Sequence, residues 1–439
     1  MKRNRLAALA LSLTLVLGSP LPVLGQEAET KTPFPDVEGH WAQGVLERWY
    51  DYGVIAGDTG TGAFRPDDPL SRAEFAALLN RIMGYPLIEI KHFNDVPANA
   101  WYAETMSRLN SAGIIQGDGN DMVRPLSPVT RQEAAVILCR VLGLEEKTVE
   151  LDFLDKDEIS SWAAGAVGAL YSMDAIHGYE GYFDPQDPIN RAQAVILLDN
   201  LFDAVMTRPG TWNRDVEGDL YVNAKWVKLE DMTVTGDLII TAGVGSGDVA
   251  LTNVTVMGDV LLQGCGEKSF HILSGCDLQG DILVHKGLDG AIRLVNESDG
   301  AIPSVQVDGG SSTVILEGNV TSIKVNAPTP VVFRNGKADT LSISAPKADF
   351  TLEKGSAVSS LVLESASAEA ELFTEGTVTD LTVNAAAHIS NQGVITSAHV
   401  TASGVVLAGT RPEKVSMISG ILRPKDGEGK TLSNITVSK

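Results

Sequence analysis

The sequence is poor in cysteine, with 3 among 439 residues, and poor in aromatic side chains, at 6%. An odd cysteine number with irregular spacing excludes a regular disulfide framework, and no Cys and His set has metal-ligand spacing. Cys139, inside the apolar run from Ala134 to Leu142, reads as a small buried hydrophobe. Spacing alone leaves a Cys265 to Cys276 bridge open. Basic residues are scarce as well: Lys+Arg 34 against Asp+Glu 56 gives a net charge of −22. The deficit runs through the whole chain, with 17 basic against 29 acidic side chains up to Gly210 and 17 against 27 beyond it. Neither half therefore carries the basic excess that a nucleic acid partner needs. Long apolar runs are missing too. The one greasy stretch, Leu6 to Leu17, falls short of the ~20 residues that span a bilayer. Lys2, Arg3 and Arg5 precede it and the small residue Gly25 follows, an order that predicts a secretory signal peptide over residues 1–25 and no membrane span. No cysteine directly follows the run, which argues against a lipid anchor.

What the chain does have is apolar content, 44%, enough to bury at least two cores and to exclude disorder over its whole length. Three segments align about 60 residues apart. Each opens with Phe-x-Asp, at Phe34 and Asp36, Phe93 and Asp95, Phe153 and Asp155, followed by a tryptophan at Trp41, Trp101 or Trp162. Helical spacing follows: Trp41, Val45, Leu46 and Trp49 share one face before Gly53, and Trp101, Thr105, Met106 and Leu109 do so before Gly113. The inner face of the helix is the expected place for these tryptophans, as core rather than as sugar-stacking rings.

A Gly, Asp and Pro-rich loop comes next, ending Phe64-Arg65-Pro66, Val123-Arg124-Pro125 or Phe183-Asp184-Pro185. The second helix of each copy starts at Ser71-Arg72-Ala73-Glu74, Thr130-Arg131-Gln132-Glu133 or Asn190-Arg191-Ala192-Gln193, the signature of a capping box. A capping box explains the first and last of these residues but not Arg72, Arg131 and Arg191. A cation in the first helical turn opposes the macrodipole, so helix stability gives no reason to repeat one there. A guanidinium beside helix N-terminal amides suits a bidentate carboxylate, and this reading outweighs a merely solvated or internally paired Arg.

These residues resemble the S-layer homology domain in three consecutive copies, over residues 33–90, 91–150 and 151–206. The resemblance implies an all-α, pseudo-threefold bundle whose grooves hold a secondary cell-wall polysaccharide, expected to be acidic. It also implies that Arg72, Arg131 and Arg191 bind that polymer together with Asp36, Asp95 and Asp155. The third copy departs from the motif at Gln193 and at Asp184, and only it has the family's Gly-Tyr pair, Gly178-Tyr179. The departures predict that Arg191 matters least among the three arginines, and the retained pair argues the other way.

After Met206-Thr207-Arg208-Pro209-Gly210 the helical period vanishes, and residues 211–439 read as short β-branched runs between Gly, Asn, Asp and Ser. Apolar pairs with one residue between them recur, from Met232/Val234 through Val254/Val256, Cys276/Leu278, Val305/Val307 and Ile323/Val325 to Val415/Met417 and Ile435/Val437. Their spacing is roughly 17 to 22 residues apart from one longer step after Leu278. One strand per period of this length predicts a right-handed-type parallel β-helix, a β-solenoid with the pairs inside and residues such as Gln306, Lys324 and His399 outside. Gly-Asp steps at Gly218-Asp219, Gly236-Asp237, Gly258-Asp259 and Gly280-Asp281 are expected to be corner turns with Asp bonding its local backbone. Calcium binding there would need a glycine-rich nonapeptide spacing that is absent. The whole chain is thus expected to be α + β multidomain.

Catalysis finds little support in the sequence. Acidic residues of the second half are scattered singly, and His271, His285, His388 and His399 have no nucleophile-elbow context. The Gly57 to Gly62 stretch lacks the Lys and following helix of a phosphate loop. No cofactor and no metal is expected. The leading expectation is a secreted, non-enzymatic protein anchored on the cell wall, which displays the solenoid as a surface-layer or structural module and leaves room for self-association. The alternative is a wall-anchored adhesin or a polysaccharide-active enzyme with its activity on the solenoid.

Overall fold

The computed structural model describes residues 32–267, 269–286, 290–310 and 312–438, so the expected signal peptide lies outside the described residues. Six α-helices form the N-terminal unit: α1 Gln43–Asp51, α2 Arg72–Met83, α3 Ala103–Ser111, α4 Arg131–Val141, α5 Ser161–Tyr171 and α6 Arg191–Asp199. The second helix of every repeat begins at a complete capping box, Ser71 with Glu74, Thr130 with Glu133 and Asn190 with Gln193, which satisfies the backbone donors that a helix start leaves free.

No repeat can cover its apolar stripe alone, so α2 packs on α3, α4 on α5, and α6 returns to α1. Asp199 of α6 fastens that return by accepting from Trp49 Nε1 at 2.8 Å and from Arg48 Nη2 at 2.7 Å. At the centre the three repeats join in a closed backbone ring: Leu70 donates to Ile189 at 3.0 Å, Ile189 to Val129 at 3.0 Å, and Val129 to Leu70 at 2.9 Å.

From Ala204 to Ser438 the chain is a parallel β-solenoid. Its strands fall into a 13-stranded and a 12-stranded sheet, and each sheet follows chain order along its length. Thirteen strands at ~4.8 Å make a rod on the order of 60 Å long. The first strand, Ala204–Met206, pairs in register with Leu220–Val222, so the rod starts ahead of the expected residue 211. All three of these residues are buried, and the stretch to Gly210 is the first coil rather than a linker.

The apolar pairs point inward, but they do not form a single column. Met232/Val234, Val254/Val256 and Leu278 belong to the 12-stranded sheet, whereas Val305/Val307 and the pairs after it belong to the 13-stranded one. The longer step after Leu278 is where the sequence pattern crosses from one face to the other. The last pair departs as well, because Val437 is 49% exposed at the rod's end.

The Gly-Asp steps stack along the 13-stranded sheet. Asp219, Asp237 and Asp259 each accept the amide of the next coil's Asp instead of a local one: Asp237 N to Asp219 Oδ1 at 2.7 Å, Asp259 N to Asp237 Oδ1 at 2.8 Å, Asp281 N to Asp259 Oδ1 at 2.9 Å; Asp281 ends the stack and accepts from the Gln306 side chain. The glycines are required by the stacking itself, since a Cβ on Gly258 would lie 2.4 Å from the Gly236 carbonyl oxygen. Cys139 and Cys276 carry free thiols, so Cys276 is not bridged to Cys265, and Cys139 and Cys265 are buried.

Rod and bundle share one continuous hydrophobic core. Where α2 meets the rod, a Cβ on Gly84 would stand 2.4 Å from Gly243 Cα, and Asn223 Nδ2 caps the Arg81 carbonyl at 2.7 Å.

Candidate functional site

Three grooves on the bundle are each built from all three repeats, and a further cavity of ≈ 490 Å³, made by the third repeat alone, shares Ile176 and His177 with the third of them. The first takes its wall from Ile55 to Arg65 and α2 of repeat one, Arg191 from repeat three and Trp101 from repeat two, and holds ≈ 340 Å³. The second combines Ile114 to Arg124 and α4 with Arg72 and Trp162, at ≈ 600 Å³. The third joins Ala175 to Phe183 and α6 with Arg131 and Trp41, at ≈ 140 Å³.

The three predicted arginines thus line the three grooves, yet none serves the groove of its own repeat's loop. Arg72 Nε donates to Val123 O at 2.9 Å and Arg191 Nε to Phe64 O at 2.8 Å. Arg131 Nε donates to Phe183 O, and its Nη2 donates to His177 O at 3.0 Å. The guanidiniums of Arg131 and Arg191 also cover the rings of Phe183 and Phe64, 5.1 and 4.7 Å from the centroids. Burial lowers the pKa of all three, and Glu133 beside Arg72 and Glu74 beside Arg191 act against that shift.

Two expectations about these residues need correction. The helix N-terminal amides are not free for an anion, because the neighbouring loop has taken them. Arg72 N donates to Ser127 O, Arg131 N to Asp187 O and Arg191 N to Asp68 O, each at 3.0 Å. Internal pairing, moreover, is part of what the arginines do: Glu133 stands 3.3 Å from Arg72 and 2.6 Å from Arg124, and Glu74 stands 3.0 Å from Arg191.

Asp36, Asp95 and Asp155 hold no groove surface. Each clamps two successive amides of its own repeat's loop: Asp36 those of Phe64 and Arg65 at 2.8 and 2.7 Å, Asp95 those of Val123 and Arg124 at 3.1 and 2.7 Å, Asp155 those of Phe183 and Asp184 at 2.8 and 2.7 Å. Arg65, Arg124 and Asp184 adopt positive φ of 57°, 49° and 53°, which side-chain-bearing residues rarely do. The aspartates stabilise that left-handed turn, and the turn delivers the carbonyls that receive the arginines.

The tryptophans reverse their expected place. Trp41, Trp101 and Trp162 are 65%, 63% and 54% exposed, and each forms one wall of a groove. Trp41 and Trp101 precede α1 and α3, so the helical period does not set the direction in which they point. An exposed indole beside a guanidinium offers a sugar an apolar face to stack on and donors for its oxygens.

The family model of the S-layer homology domain matches residues 33–76, 92–135 and 152–195. The chain carries three S-layer homology domains. Among its relatives, S-layer protein EA1 of Bacillus anthracis is 27% identical over 199 residues, 44% of this chain and 22% of that protein. The surface-layer 125 kDa protein of Lysinibacillus sphaericus is 27% identical over 212 residues, 47% of this chain and 18% of that one. Exoglucanase XynX of Acetivibrio thermocellus is 30% identical over 201 residues, 43% of this chain and 18% of the relative. The chain thus spans less than a quarter of the length of each of these relatives. Its S-layer homology domains make it a secreted, surface-associated protein of the cell wall. Among the described residues no cluster of His, Cys, Asp and Glu could hold a metal ion, and no helix is long and apolar enough to cross a membrane.

Proposed function

We propose that the three S-layer homology domains hold the chain on the wall by binding an acidic secondary cell-wall polysaccharide in the inter-repeat grooves, and that the rod is displayed as a non-catalytic surface-layer or structural module. The observation that carries this reading is the exposed tryptophan beside an arginine in every groove. Binding is short-ranged, since at physiological salt the repulsion between an acidic protein and an acidic polymer is screened beyond about 8 to 10 Å. Sedimentation of the mature chain with purified walls tests the reading. The parent is expected in the pellet and the triple variant Trp41→Ala, Trp101→Ala, Trp162→Ala in the supernatant; equal sedimentation would sink it.

An enzyme displayed by the same anchor is the second reading, favoured by the exoglucanase among the relatives. Release of reducing sugar from wall polysaccharide by the purified rod-bearing chain would decide for it. Lateral self-association of the rods belongs to the leading reading, and sedimentation velocity across a concentration series measures it.

A further inference from the structure

The first coils of the rod carry an exposed indole that lies outside the three grooves. Trp226 is 65% exposed and stands at a corner with φ 57°, a left-handed conformation that bulky side chains rarely adopt. It is the one aromatic residue with positive φ among the described residues, and the rod's other residues of this kind include Asp231, Asn253, Asn335 and Asn434, the side chains that tolerate it best. Glycine would turn this corner without strain. The Trp226 carbonyl accepts the Gly210 amide at 3.2 Å, which fixes the corner and leaves the ring in solvent.

Cations frame that ring. Gly210 pairs with Val227 and Thr211 with Lys228, a register that sets Trp226 beside Pro209 and Lys225 beside Arg208. Arg208, Arg214, Lys225 and Lys228 are all exposed, and none of them forms an ion pair among the described residues. Arg208 is steadied by the end of α1, where its Nη2 donates to Tyr50 O at 3.2 Å and its guanidinium lies 5.6 Å from the Tyr50 ring. Arg214 lies 4.5 Å from the ring of Trp212. Two carboxylates of these coils are engaged within the rod, Asp215 by the Thr233 amide and Asp231 by Asn253 Nδ2, each at 2.7 Å. Glu230 and Asp248 border the patch, the second of them following Trp226 in register on the next coil.

We infer that the first two coils of the rod hold a separate saccharide site, in which the Trp226 indole stacks on a sugar ring of an anionic wall glycan while Lys225, Lys228 and Arg208 take its charged groups. The inference rests on the proposed wall binding and extends it from the bundle to the rod. An indole offers an apolar face to a sugar ring, and ammonium and guanidinium groups beside it form charge-assisted hydrogen bonds with carboxylate or phosphate oxygens. Charge complementarity selects an anionic chain: on a protein of net charge −22 these cations are a local exception, and screening lets them act at short range. Glu230 and Asp248 accept hydroxyl protons at the border. An anionic lipid surface fits less well, because those two carboxylates would be pressed against its headgroups.

The test measures binding of the mature chain to purified walls of the source organism across a salt series. Lys225→Gln combined with Lys228→Gln is expected to bind about tenfold more weakly at low salt and to show a flatter salt dependence. Trp226→Ala is expected to bind about fivefold more weakly at every salt concentration. Trp226→Gly separates binding from stability: it is expected to bind as weakly as the alanine variant and to melt no lower than the parent, because glycine accepts the positive φ. A ring with a purely structural role would lower the melting temperature and leave binding alone. Parent-like wall binding by either the Trp226→Ala or the double lysine variant overturns the inference while the groove reading stands. So does binding to phosphatidylglycerol vesicles that needs Trp226 when wall binding does not. A parent that stays in the supernatant with walls overturns both readings.

Discussion

Arg72, rooted in the first repeat, meets Glu133 of the second at 3.3 Å, and both side chains are nearly closed off from water. The pair lines the largest of the three grooves while also holding two repeats together. Removing one member of a buried pair strands the other, at a cost of about 3 kcal/mol. Arg72→Ala is therefore expected to lower the urea midpoint as well as wall binding. An unchanged midpoint would mean that Glu133 finds enough compensation in Arg124 alone.

Trp162→Ala is expected to behave in the opposite way. The ring is exposed on the groove, so melting should be unchanged while affinity for walls drops about fivefold, the size of a lost ring contact. A shift in melting temperature without a change in sedimentation would return this tryptophan to a structural role.

Stability should fall in acid through Asp36 and Glu133. Burial raises the Asp36 pKa, but the amides of Phe64 and Arg65 outweigh it and bring it below the ordinary 3.8. Burial likewise raises Glu133, and the Thr130 amide with Arg72 and Arg124 brings it below 4.5. A carboxylate depressed in the folded state contributes stability that is complete above its unfolded pKa and disappears as pH falls through the folded one. The bundle is expected to melt at constant temperature above about pH 5 and at progressively lower temperature below about pH 4. Asp36→Asn should flatten that decline, and circular dichroism at 222 nm follows it.

In the rod, Gly258→Ala is expected to destabilise by about 1 to 3 kcal/mol, because the added methyl meets Asp237 Oδ1 at 2.2 Å and the Gly236 carbonyl oxygen at 2.4 Å. Gly300→Ala, with open space around it, is the control and should be neutral. Equal effects of the two would show that the glycine stack is not tightly packed.

The local signals in the chain were legible from residue identity: capping boxes, loop endings and the alternation of inward pairs all depend on neighbours a few positions away. Relationships between repeats were not. Arg191 looks like part of a weakened third groove, since Gln193 and Asp184 sit in its own repeat, yet its guanidinium lies in the groove of the first, 127 residues earlier at Phe64. Only the closed packing of α6 on α1 makes that jump, and no spacing encodes it. Asp36 misled for a related reason: an acidic residue repeated in register suggests a ligand contact, but the turn that it clamps has positive φ, which Phe-Arg-Pro does not announce. In the rod, inward pairs look alike on either sheet, so the sequence pattern runs from one sheet to the other without a mark, and only the strand register separates them.

The ring of Leu70, Val129 and Ile189 bears on how such a gene can change length. A rod whose coils touch only their neighbours can gain or lose one coil by replication slippage and still close its hydrogen bonds. The bundle has no such freedom. A fourth copy would find every donor and acceptor at the centre already committed, and a chain with two copies would leave both ends of the circle open. Inheritance in this half of the molecule is therefore by the triplet, and a viable duplication has to copy all of it.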